Sequence, residues 1–161
     1  MSVKIMVVFL CAAIGTAGGY FVMCTYRRNF VYLDGVCKMI GELKRNIAYR
    51  RDGVASIIGT MSAESVQLKK NIAEYIDYAV GKVDAPQISR GFLPKETYER
   101  ITELFRSIGR SDGSSQIDEL NMYEDAFSKL REAAEIKYSK HGAVAVKLGF
   151  LLGLGVGILT L

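Results

Sequence analysis

The side chains best spaced for acid–base or metal chemistry are Glu96, Glu99 and Glu103, three carboxylates at three- and four-residue intervals. On a helix that spacing places them on one face, where carboxylates can hold a hard cation or share a proton. Arg100 and Arg106 interleave with them, however, and the set reads as a solvated face of screened charges. Nitrogen and sulfur ligands are scarce. The single histidine, His141, sits beside lysines, and Cys11, Cys24 and Cys37 show no CxxC spacing. That is neither a zinc pattern nor a disulfide framework, so any metal site would be all carboxylate. Gly81-Lys82 lacks the upstream glycine of a phosphate loop and is followed by valine, and no GxSxG elbow or HExxH pair occurs. The residues point to no catalytic centre, no metal and no cofactor. They point to a scaffold.

One polar stretch stands out from its surroundings: Gly109-Arg110-Ser111-Asp112, followed by Gln116. Before it, Tyr98, Ile101, Leu104, Phe105 and Ile108 recur at helical spacing; after it, Ile117, Leu120, Phe127 and Leu130 begin a second stripe. Glycine at 109 suits the left-handed conformation that stops a helix, and Ser111 or Asp112 can cap the next one. The stretch is physically a stop followed by a start.

Hydrophobic residues make up 50% of the 161, and mean hydropathy is +0.16. Both are high for a soluble chain, and the excess lies at the two ends. Lys4 is followed by an uncharged run from Ile5 to Tyr26, then by Arg27-Arg28. As a helix the run is about 33 Å long, enough for a hydrocarbon layer of ~30 Å. A cleaved signal peptide, with Gly15-Thr16-Ala17 as the small residues, is the weaker reading, because the run continues past that point into two arginines. We expect an uncleaved anchor over residues 1–28. The C-terminal run Leu148–Leu161 alone would span about 21 Å, and about 30 Å if the helix enters at Gly142 with Lys147 snorkelling. Residues 142–161 are therefore expected to form a second membrane helix. Cys11, Gly15 and Gly19 recur every four residues, as do Gly149, Gly153 and Gly157. Such small-residue faces let helices approach closely in lipid, on each other or on a partner, a second copy included.

Between the anchors, residues 29–141 read as a helical bundle large enough to bury its own core. Phe30, Leu33, Val36 or Cys37, Ile40, Leu43 and Ile47 form a stripe near the helical period. Asp52-Gly53 breaks it, and Val54, Ile57, Ile58 and Met61 suggest a short helix. A third helix is expected from about Ala63 to Val80, with Leu68, Ile72, Tyr75, Ile76, Ala79 and Val80 on one face. Gly81 to Leu93 reads as a surface loop, and Pro94 suits the first turn of the helix after it. No stretch alternates with period two, so the fold class is all-α: an up-and-down bundle flanked by two membrane helices. Net charge is +4, without the arginine-rich stripe and interleaved aromatics of a nucleic-acid binder. Basic clusters adjoin both apolar runs on the bundle side, which places the bundle in the cytoplasm.

Ile108-Gly109-Arg110-Ser111-Asp112 with Gln116 resembles the LG-x-SD-x-x-x-Q signature of the stage III sporulation protein AB family. The layout is similar too: an N-terminal membrane helix ending in paired basic residues, the pattern from Leu33 to Tyr49, and a charged stretch leading into a glycine- and leucine-rich C-terminus. Arg51-Asp52-Gly53 stands where the family usually has a proline-containing turn, and Lys82 to Gly91 matches it poorly. The resemblance implies endospore formation, in the mother-cell membrane around the forespore. It implies a cytoplasmic domain similar to the helical domains of the type II secretion inner-membrane platform protein. It also implies docking of a cytoplasmic secretion-type ATPase, the sporulation AA protein, to a channel built with the other stage III sporulation A-operon proteins. Gly109, Arg110, Ser111, Asp112 and Gln116 carry over as matched motif positions and candidate partner contacts; no catalytic residue does. The alternatives are a platform component of a general type II secretion or type IV pilus system, a small membrane-permeabilising protein, and a membrane-bound enzyme with a carboxylate-only site.

Overall fold

The computed structural model describes residues 2–49, 54–109 and 113–160, and among them every regular element is helical. The elements are α1 (Ser2–Tyr49), α2 (Val54–Thr60), α3 (Val66–Ala79), α4 (Lys95–Ser107), α5 (Gly113–Ile136), a π-helical turn (Lys137–His141) and α6 (Gly142–Leu159). The Asp52-Gly53 break lies outside the described residues. They pack as two units: Met1–Phe30 with Ala133–Leu161, and Val31–Glu132. Helix α1 contributes to both, because nothing in its 48 residues interrupts the helical period.

The core of the central unit is built on α1. Tyr32, Leu33, Val36, Met39, Ile40 and Leu43 are buried, a wider face than the expected stripe. The pairs 32/33, 36 and 39/40/43 fall at the i, i+3, i+4, i+7 spacing that aligns side chains along a helix. The core also takes in Ile57 and Ile58 of α2, Leu68, Ile72 and Tyr75 of α3, Ile101, Leu104 and Phe105 of α4, and Leu120 and Phe127 of α5, all buried. Helix α3 begins one turn later than Ala63. Ser65 caps it, its Oγ accepting from the Leu68 amide at 3.4 Å. Ala79 and Val80, the last residue and the C-cap of α3, are exposed rather than part of the buried face.

Asn71 is completely buried. A primary amide in such a place must find partners or cost about 1–3 kcal/mol. Its Nδ2 donates to the Tyr32 hydroxyl at 2.8 Å, and its Oδ1 accepts from the Ser89 amide at 3.1 Å. Ser89 lies in the segment 81–93, expected as a surface loop. Instead Pro86, Ile88 and Leu93 are buried, Gln67 donates to the Ser89 carbonyl at 2.8 Å, and Phe92 meets Tyr32 edge to face at 6.3 Å. The segment is a strap over the core, tied down by Asn71. Pro94 occupies the position just ahead of α4 rather than its first turn, and its carbonyl accepts from Tyr98.

Two ion pairs join α1 to α5: Asp34 with Arg131, at 3.3 Å, and Lys44 with Glu124. Asp34 also takes Lys38 at 2.8 Å. Burial alone would raise the Asp34 carboxyl, but hydrogen bonds from Lys38 and Arg131 outweigh it and hold the pKa below its ordinary value. A carboxylate with a depressed folded-state pKa stabilises the fold above its unfolded pKa, and that stabilisation is lost as pH falls through the folded value. Unfolding followed by circular dichroism should therefore show a steeper loss of stability below about pH 4 in the wild type than in Asp34→Asn; identical acid limbs would contradict the pairing. Asn71→Ala should destabilise the central unit by about 1–3 kcal/mol and open the strap to limited proteolysis near residues 82–91.

Candidate functional site

The apolar unit is an antiparallel helix pair. Its residues from Ile5 to Tyr26 carry no charge, so their only polar groups are backbone amides and a few hydroxyls, which a helix satisfies internally. Thr16 returns its hydroxyl to the Ala12 carbonyl at 2.7 Å and Thr25 to the Phe21 carbonyl at 3.1 Å. Phe9 is 72% exposed and Leu152 69%. Side chains of that kind facing outward are costly in water and stable in hydrocarbon. Both apolar helices are long and apolar enough to cross a membrane. The 18 residues of α6 extend about 27 Å.

The small residues occupy the seam between these helices. A Cβ built on Gly15 would run into the Gly149 carbonyl and lie 3.0 Å from the Gly153 Cα. One on Gly19 would meet the Ala145 carbonyl and lie 2.8 Å from the Val146 Cα. From the other side, Gly149 faces the Gly15 carbonyl, Gly153 faces the Cys11 carbonyl with the Ala12 Cα at 2.8 Å, and Gly157 faces the Val8 Cα at 2.9 Å. These neighbours are backbone, which cannot yield as a flexible side chain does. Cys11 contributes its carbonyl to the seam; its thiol is half-buried. Val8, Ala12, Ala145 and Val146 were not singled out from the sequence, because what they contribute is backbone and leaves no side-chain signature. Gly18 and Gly155 have nothing within 4 Å and lie off the seam.

The second candidate stretch belongs to the central unit. Gly109 has φ +81°, the left-handed geometry that ends α4 and that a Cβ would strain. The carbonyl just before it, on Ile108, accepts from the Tyr75 hydroxyl at 3.2 Å. Burial pushes the Tyr75 phenol up to about 12, so it stays a neutral donor at any physiological pH. Its ring lies 5.8 Å from that of Phe105. Arg110, Ser111 and Asp112 lie outside the described residues. Gln116 is buried on α5, at 4% exposure, and its Nε2 has no hydrogen-bond partner among the described residues. Glu96, Glu99 and Glu103 are exposed on α4, where Arg100 pairs with Glu96 at 3.4 Å and Lys95 with Glu99 at 3.8 Å. Among the described residues no group of three metal-ligating side chains comes together.

The seam makes a sharp distinction between glycines. Gly153→Leu should drive the paired helices apart and lower the thermal midpoint in detergent, the overpacking costing about 1–3 kcal/mol or more. Gly155→Leu, on the open face of the same helix, should leave the midpoint unchanged. Equal effects of the two substitutions would show that the helices do not meet along this seam.

Neither the curated proteins nor the solved structures gave a match to this chain. A comparison with protein families did, pairing residues 4–161 with stage III sporulation protein AB. The match takes in both apolar helices and the whole central unit, and its family is not a known family of enzymes. Two candidate membrane helices around a helical domain fit that assignment. The chain belongs to the stage III sporulation protein AB family, whose role is in sporulation.

Proposed function

We propose that this protein is a non-enzymatic platform in the membrane complex between mother cell and forespore, docking a cytoplasmic secretion-type ATPase of the sporulation AA type to the channel. The observation that carries the reading is the family match over nearly the whole chain, joined to its two-unit construction. An apolar helix pair suits an anchor, and a separately packed helical unit with paired surface charges suits a protein partner. The other channel proteins of the stage III sporulation A operon would meet the anchor or the bundle. Likeness to the type II secretion platform belongs to the same reading.

Orientation follows from charge. Arg27, Arg28 and Lys38 follow the first apolar run, and Lys137, Lys140 and Lys147 precede or enter the second. Basic residues beside a membrane helix stay on the cytoplasmic side, so the central unit faces the mother-cell cytoplasm. The corner beginning at Gly109 is the proposed partner contact, with Arg110 and Asp112 as its charged positions; Gln116, being buried, would support it from within.

Three measurements test this. With Cys11, Cys24 and Cys37 replaced by serine, Glu103→Cys on exposed α4 should react with a membrane-impermeant maleimide only after the membrane is opened. Labelling in intact cells would invert the topology. In a spore-former, deletion should halt development after engulfment, and the ATPase should co-purify with the wild type but far less with an Arg110→Ala, Asp112→Ala double variant. Normal spores on deletion would contradict the platform role.

A further inference from the structure

The seam contacts set the register of the helix pair. Gly15 lies opposite Gly149, Gly19 opposite Ala145 and Val146, and Gly142 opposite Met23, whose Cγ would be 3.0 Å from an added Cβ. Continued for one more turn, that register sets Arg27 and Arg28 level with Lys137 and Tyr138, with Lys140 about one turn from them. The Phe30 and Tyr138 rings stack there, 6.2 Å apart and 12° from parallel. Four cations thus form one belt where the apolar surface ends, and Lys147 lies deeper, within snorkelling reach of it. All five are exposed.

The belt differs from the central unit in its want of acidic neighbours; cations without a carboxylate partner among the described residues, Lys69 and Lys70 among them, occur in the central unit too, but amid many acids. There, Lys38, Lys44, Lys82, Lys95, Arg100 and Arg131 are paired with carboxylates. Of the belt cations, none forms an ion pair among the described residues, and Glu135 is the only acidic residue in the whole apolar unit. The apolar unit holds Lys4, Arg27, Arg28, Lys137, Lys140 and Lys147 against that one acid, so the chain's entire positive excess resides in it. Cations left without protein partners at the rim of a lipid-facing surface need anions from outside, and the anions at that depth are phosphates of the bilayer itself.

We propose that this belt binds the headgroups of anionic phospholipids, Arg27 and Arg28 with Lys137 and Lys140 holding phosphodiester oxygens around the neck of the helix pair. Arginine supplies bidentate contacts to phosphate and lysine a point charge. The belt goes beyond charge as an orientation signal, since it selects lipids by headgroup. It rests on the membrane reading, which retention of the protein in membranes washed with alkaline carbonate tests separately.

The test uses the full-length protein in detergent, offered equal amounts of phosphatidylcholine and phosphatidylglycerol, with bound lipid measured by native mass spectrometry. Wild type should retain phosphatidylglycerol preferentially. Each near-surface cation is worth a factor of about five in attraction to an anionic lipid surface, so Arg27→Gln with Arg28→Gln should cut the preference roughly twenty-five-fold. Arg27→Lys with Arg28→Lys should keep most of it. Lys69→Gln with Lys70→Gln, the same charge removed from exposed positions on α3, should leave it intact. Helical circular dichroism of each variant confirms that the fold survives. A wild type with no headgroup preference, or an equal loss in the two glutamine pairs, would overturn the proposal. Sodium phosphate should displace no more lipid than sodium chloride of equal ionic strength; displacement by phosphate alone would assign the belt to a soluble anion and also overturn it.

Discussion

Backbone contact between two helices is the constraint on which the apolar unit depends. Helices whose surfaces carry leucine keep their axes 8–10 Å apart. Here the carbonyls of Cys11, Gly15, Ala145 and Gly149 occupy the space where a Cβ would stand. In lipid there is no hydrophobic force pulling apolar helices together, so close van der Waals contact must do it. Small residues every fourth position, Gly149, Gly153 and Gly157 on one helix and Cys11, Gly15 and Gly19 on the other, make that contact continuous, from Gly157 against Val8 to Gly19 against Ala145. The rest of each surface is then free to be large, branched and lipid-facing, as Phe9, Leu10, Phe21 and Leu152 are.

The central unit is built the opposite way. Its helices meet through large side chains, Tyr32, Phe105 and Phe127 among the most buried, and a single buried amide organises the irregular part. Asn71 reaches α1 through Tyr32 and the strap through Ser89. Tyr75, one turn further along α3, supports the carbonyl at the end of α4. One helix face thus ties down both the strap and the carbonyl at the end of α4, the latter through a phenol whose pKa burial raises.

Much of this was legible in the sequence, for a physical reason in each case. The helices announced themselves because apolar residues recur with the helical period, and the absence of period-two alternation excluded a sheet. The fourfold glycine spacing was visible, but not the surface it would meet, since a carbonyl groove has no side-chain pattern. The strap was misread because Pro86, Ile88 and Leu93 follow no period; their burial comes from tertiary contacts. Asn71 was invisible for a related reason, a polar residue in an apolar stripe reading as a gap in it. The π-helical turn at Lys137–His141 contains no glycine or proline, and Gly142 just after it reads equally well as an ordinary residue of a membrane helix. At the corner, Gly109 was recognisable by residue type, whereas the partner of its neighbours is a matter for binding experiments.

The account stands or falls on the two apolar helices pairing within one chain. A Cβ at position 142 would lie 3.8 Å from the Met23 Cβ, the separation of a relaxed disulfide. In a chain whose native cysteines are serines, Met23→Cys and Gly142→Cys should oxidise in native membranes to an intrachain bridge. After cleavage at a protease site inserted in the strap, the two halves should stay joined until reduced. Halves that separate without reductant, or bridges formed only between chains, would contradict it.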